Sequence, residues 1–141
     1  MTMSTNQPAV IMKAFTWAYE ELGMTPSEAA TILGVSEIGL QQTALVGYEP
    51  ASSESQLQLA FIRLYHLLYA LSDGDSSQMH RWFNSSNPHL NNIPRVMCAN
   101  LDGINTLNDY LETIQPNQTM PEMHFALPRR KIDRDEEFYT R

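Results

Sequence analysis

The chain has 141 residues, 43% of them hydrophobic and 18% charged, with a formal net charge of −7. That is one domain's worth of chain, long enough to bury a core and too apolar to be disordered. The acid excess argues against attraction of the whole molecule to nucleic acid or anionic lipid, and the lone cysteine, Cys98, excludes an intrachain disulfide and suits a reducing compartment.

The first seven residues, MTMSTNQ, lack the basic start and apolar run of a signal peptide, and no apolar stretch is long enough to span a bilayer. A cytoplasmic protein with no membrane contact is the expectation. Residues 8 to 22 carry Val10, Ile11, Ala14, Phe15, Ala18 and Leu22 at helical spacing, with Pro8 suited to the first turn and Gly23 to the stop.

Thr25-Pro26-Ser27-Glu28 then reads as a capping box with proline at the first helical position. The helix that follows holds Ala29, Ala30, Ile32 and Leu33 and ends at Gly34. A second helix starts at once, with Ser36 as its cap and Ile38, Leu40, Ala44 and Leu45 expected to be buried. Two short helices about a glycine turn, residues 25–46, form a helix-turn-helix pattern, where Ala30 allows close approach, Gly34 the turn and Leu40 the lock. The same pattern also describes a plain helical corner.

Within such a motif the candidate DNA-contacting residues are Ser36, Glu37, Gln41 and Gln42, since a glutamine amide can pair with adenine. A solvated helix face explains the two glutamines equally well. No Lys or Arg lies between Lys13 and Arg63, whereas Glu20, Glu21, Glu28, Glu37, Glu49 and Glu54 all do. Phosphate contacts supply much of protein–DNA affinity, so operator DNA is expected to be a weak or conditional partner.

Residues 47 to 55 read as a polar linker ending in cap chemistry. From Leu57 the apolar positions recur at Phe61, Leu64, Leu68 and Leu71, widened by Ala60, Tyr65 and Leu67, as in a central core helix or a dimer seam. Asp73-Gly74 ends that helix, and Asp75 or Ser76 restarts one carrying Met79, Trp82 and Phe83. Asn87-Pro88-His89-Leu90-Asn91-Asn92 is a turn-rich connector in which Leu90 plugs the core and Asn91 and Asn92 tolerate positive φ. Pro94 begins a short helix, and Leu101, Ile104, Leu107, Leu111 and Ile114 line one face of the last.

In that order, Arg63-Leu64-Tyr65, Trp82-Phe83, Asn87-Pro88-x-Leu90, Pro94 and Gly103-x-x-x-Leu107-x-x-Tyr110-Leu111 resemble the toxin-binding domain of the Xre/MbcA/ParS antitoxins, and residues 25–46 resemble the Xre-like half that many members carry. Two places depart from the family pattern. Asn91-Asn92 stand where a Gly-Gly is usual, and Arg95, Met97 and Cys98 stand where leucines follow the proline. The resemblance implies an all-α fold, and the chain divides into three parts. These are an N-terminal helical region (1–50) with the helix-turn-helix and a central helix with the toxin-binding helices (51–114), while the third part, 115–141, lies beyond the resemblance and reads from its prolines and lack of periodicity as an extended tail. The resemblance further implies a cognate protein toxin as partner, often of the RES class that consumes NAD, together with homodimerisation and autorepression of the operon. Trp82, Leu90, Pro94, Gly103, Leu107 and Leu111 would then define the fold rather than touch the toxin.

The tail holds Pro116, Pro121 and Pro128, and then Arg129, Arg130, Lys131 and Arg134, four of the chain's nine basic residues. It reads either as a solvated mixed-charge segment or as a docking segment. In the second case those cations, with Phe138 and Tyr139 as anchors, are toxin-contact candidates, and Arg95 joins them from the short helix. Catalytic chemistry is not visible. His66, His80, His89 and His124 have no metal-ligand spacing with one another or with Cys98, and no phosphate loop exists, so neither an enzyme nor a cofactor is expected. The competing reading is a stand-alone helix-turn-helix regulator with a C-terminal dimerisation domain.

Overall fold

The computed structural model describes residues 7–114. These form an all-α fold of seven helices and no strand: α1 (Gln7–Glu21), α2 (Pro26–Leu33), α3 (Glu37–Gln42), α4 (Ser53–Leu71), α5 (Ser76–Asn84), α6 (Pro94–Met97) and α7 (Leu101–Glu112).

Local chemistry sets most of the boundaries. The Thr25 hydroxyl accepts from the Glu28 amide and the Glu28 carboxylate accepts from the Thr25 amide, which is the reciprocal capping box at the start of α2. Gly34 closes α2 in the left-handed region at φ 73°. Ser36, Ser52, Asp75 and Asn100 cap α3, α4, α5 and α7 through their side-chain oxygens, and Pro94 opens α6. Ser52 is the cap, so α4 begins inside the stretch expected to be linker. In the connector the Asn87 carboxamide accepts from the amides of His89 and Leu90, and Asn87 pairs with Asn92 across the turn. Of the two asparagines expected to tolerate positive φ, only Asn91 adopts it, at 56°.

The core is organised by α4. Phe61, Leu64, Tyr65, Leu68 and Leu71 are buried, and α4 packs against α1 on one side and α7 on another. The wide apolar stripe is therefore intramolecular core. On the α1 side, Met12 faces Gln58, Phe15 meets Phe61 edge-on at 5.6 Å, and Trp17 reaches Tyr65. These contacts advance in the same sense along both helices, so α1 and α4 run parallel. On the α7 side, Ile104, Leu107 and Leu111 are buried, the Asn108 amide donates to the Ala60 carbonyl at 3.1 Å, and Arg63 pairs with Glu112.

Two expectations about burial are corrected. The stripe of α1 runs through Met12, Phe15, Ala18 and Leu22, leaving Val10 59% exposed. At 3.6 residues per turn Val10 lies about 140° round the helix from Phe15, too far to share its face. On α3 only Leu40 is buried; Ile38 is 67% exposed, Leu45 87%, and Ala44 is exposed as well. The cause is early termination. The Thr43 hydroxyl donates back to the Gly39 and Leu40 carbonyls, and turns carry the chain to a left-handed Gly47, so helical spacing does not extend past Gln42.

Gly103 marks a close approach between α6 and α7. A Cβ built there would stand 1.8 Å from the Met97 carbonyl oxygen, which belongs to backbone and cannot swing aside. Gly103→Ala is therefore expected to destabilise the fold by about 2–3 kcal/mol, as overpacking does. At Gly34 an added Cβ meets nothing within 4 Å, so Gly34→Ala is expected to cost only the strain of positive φ, about 1 kcal/mol. Urea unfolding of the two variants beside the parent would rank them, and equal midpoints would contradict this account.

Candidate functional site

Two surfaces gather the residues singled out by sequence. The first is the outward side of the α2–α3 pair. Ser36, Glu37, Gln41 and Gln42 are all exposed there. The Ser36 hydroxyl is already engaged, accepting from the Gly39 amide at 2.9 Å, so its first role is to cap α3. Glu37 occupies the first helical position, where a phosphate approaching the end of α3 would meet a carboxylate. Beside them, Ile38, Leu45 and Val46 are 64–87% exposed. This face combines acid, amide and bare aliphatic groups, and it carries no cation between Lys13 and Arg63.

The second surface centres on Arg95, in the first turn of α6. Its Nε donates to one carboxylate oxygen of Glu28 at 2.8 Å and its Nη2 to the other at 2.5 Å. Nη1 donates to the Asn84 side chain at 2.7 Å, and Nη2 also donates to the Gly23 carbonyl at 3.0 Å. One guanidinium thus joins the end of α1, the start of α2, the end of α5 and α6. The fork geometry of arginine makes this possible; a lysine could not hold four such directions at once. Arg95 is half-buried and much of its donor capacity is spent inside the molecule, so its first role is to position helices.

The pair is electrostatically tuned. The Arg95 guanidinium, through its hydrogen bonds, holds the Glu28 carboxyl down at about 2 against an ordinary 4.5, outweighing partial burial and helped by the Thr25 amide. Arg95 is raised in return by the hydrogen bonds to Glu28. An open cleft of about 280 Å³ adjoins the pair, floored by Met24, Ile32, Val96 and Cys98. Cys98 is fully buried, and desolvation pushes its thiol up to about 12, so it behaves as a small apolar side chain and not as a nucleophile.

The fold-defining positions fall where that role requires. Trp82, Pro94, Leu107 and Leu111 are buried, Leu90 packs half-buried against the core, and Gly103 sits under the Met97 carbonyl. Arg129, Arg130, Lys131, Arg134, Phe138 and Tyr139 lie outside the described residues. His80 is exposed and its Nε2 lies 2.5 Å from the Glu21 carbonyl oxygen, while the His89 ring stacks on Tyr110. Among the described residues no three His, Cys, Asp or Glu side chains converge as a metal site would need, and no helix is long and apolar enough to cross a membrane. Sequence reasoning missed the Arg95–Glu28 clasp, whose partners are 67 residues apart and carry no local signal. It also missed the exposure of Trp17, which its distance from the Phe15 stripe could have revealed. No protein-family model matches the chain, and no curated protein matches it.

The clasp gives a signed pH dependence. Glu28 is depressed when folded, so its contribution is complete above about 4.5 and is lost as pH falls toward about 2. Its side chain is 37% exposed, so solvent screens the effect and the contribution is modest. Glu28→Gln keeps a capping-box side chain but removes the charge. Acid titration of thermal stability should show a shallower fall for Glu28→Gln than for the parent between pH 4.5 and 2. Parallel curves would mean that the clasp adds nothing to stability.

Proposed function

We propose that this chain is an antitoxin that binds and neutralises a cognate protein toxin, a partner that in the family it resembles is often of the RES, NAD-consuming class. The observation that carries the reading is the chemistry of the helix-turn-helix face. Exposed Ile38, Leu45 and Val46 gain free energy only when another apolar surface covers them. Glu37 and the surrounding acids repel a phosphate backbone. Such a face suits a protein partner far better than bare DNA. The positions matched in 63–111 support the same reading, because they hold the C-terminal unit together as the resemblance implies.

Neutralisation would then use the tail, whose cations Arg129, Arg130, Lys131 and Arg134 and aromatics Phe138 and Tyr139 complement an anionic, pocketed surface. Autorepression is secondary, and operator binding depends on the assembled complex to supply cations. A second reading, a stand-alone regulator, draws on the intact caps and turn of α2 and α3, which present α3 outward as a recognition helix would be.

Co-expression with the product of the adjacent gene tests the choice. The expected outcome is toxicity relieved by this chain, recovery of a stable complex, and loss of rescue when the four tail cations are replaced by alanine. A harmless neighbour with no complex, together with tight operator binding by the full chain at physiological salt, would replace the antitoxin with the regulator.

A further inference from the structure

Where α1 and α4 run side by side, their shared edge carries an aromatic strip. Trp17 of α1 is 60% exposed, and its indole N–H donates to the hydroxyl of the buried Tyr65 of α4 at 3.3 Å. The Tyr65 ring lies 5.9 Å from that of Tyr69, one turn further along α4 and 52% exposed. Tyr69 is laid over the turn that follows α4, since a Cβ added to Gly74 would stand 3.1 Å from its ring. Both exposed rings are held by the fold, with little rotamer freedom left to lose when something covers them.

The far end of this strip is acidic. Trp17 meets Tyr65 and the helices run parallel, so four residues further along each bring Glu21 level with Tyr69. Glu21 forms no ion pair among the described residues, and Lys13 lies a turn away on the other side of Trp17. Aromatic faces beside a carboxylate suit a guanidinium, which stacks on the ring and donates from its edge to the acid.

The chain itself carries the matching groups. Residues 7–114 contain eleven carboxylates and four cations, so the whole formal excess of −7 lies within them. Residues 129–134, by contrast, place Arg129, Arg130, Lys131 and Arg134 around a single acid, Asp133. Arg129 follows Ile114 by fifteen residues, which can span up to about 50 Å, against a radius of gyration of about 13 Å for a fold of this size. Cation–π contacts and surface ion pairs are weak one by one, so a free cationic peptide would fill the strip only at millimolar concentration. A tethered segment is held near that concentration permanently, which selects the chain's own cations as the occupant.

We propose that Arg129 and Arg130 dock on the α1–α4 edge of their own molecule, with a guanidinium stacked on Trp17 or Tyr69 and paired with Glu21. A partner that takes the same cations must then displace them from this edge. The inference goes beyond the antitoxin reading and does not rest on it.

Paramagnetic broadening in the full chain tests the contact. Cys98 is fully buried, so a nitroxide directed to Ile132→Cys labels the segment and not the core. The isotope-labelled, nitroxide-bearing chain is expected to lose its Trp17 indole N–H signal at low ionic strength, with the buried Trp82 signal as the reference and the check on folding. High salt, Arg129→Ala/Arg130→Ala and Glu21→Lys should each restore it, since the contact needs both charges and salt screens them. A Trp17 signal undiminished at low salt overturns the proposal. So does a loss that persists in both variants. Broadening of an isotope-labelled chain without nitroxide, mixed with nitroxide-bearing copies, overturns it too, because the contact would then lie between molecules.

Discussion

A 19-residue helix that must hide two of its faces is the constraint from which the rest of this architecture follows. Along α4 the positions Gln58, Phe61 and Tyr65 look toward α1, while Ala60 and Arg63 meet α7. A helix buried on two sides cannot be covered by one neighbour, so the chain supplies one from each end of the sequence. Removing either would expose a row of leucines and aromatics worth about 1.5–3 kcal/mol per side chain. The N-terminal helix and the last helix are thus bound into one core although they share few direct contacts. The parallel run of α1 and α4 also explains the middle of the chain, because α2, α3 and the following turns must carry it back before α4 can start.

The Arg95–Glu28 clasp does for the periphery what α4 does for the centre. Glu28 would be needed at its position for the capping box alone. By accepting two further bonds from Arg95 it makes the start of the helix-turn-helix depend on α6, a helix of four residues that has little stability of its own. Conversely, α6 is held by Pro94 at its start, by the clasp on its outer side and by Gly103 beneath its last carbonyl. Any partner that moved α6 would change the support of α2 as well, so the two halves of the molecule are mechanically linked.

Local signals were legible in proportion to their locality. Caps, glycine stops and the proline at α6 depend on neighbours within four residues, and they lie where the sequence puts them, as do the faces of α4 and α7. In α3 the apolar spacing continues to Leu45, while the hydroxyl of Thr43 ends the helix sooner by bonding back to its own last turn. Val10 joins the apolar count of α1 but not its buried face, because its angle round the helix carries it away from Phe15. Arg95 had the composition of a free surface cation and turned out to be internal wiring. Its partners are set by the fold, and no window of sequence contains them.

Two short helices packed about a turn, as α2 and α3 are, make a shape before they make a reader of DNA. The turn between α2 and α3 is built by Ala30, Gly34, Leu40 and the two caps, none of which carries charge toward a ligand. Affinity for DNA needs cations around that geometry, and here they are replaced by glutamates and by Ile38, Leu45 and Val46. The scaffold therefore tolerates a change of partner without a change of fold, because the residues that build the corner and those that choose what it touches are different residues. What such a surface selects is settled by desolvation. Aliphatic groups favour a partner that excludes water, whereas a phosphate backbone keeps its own.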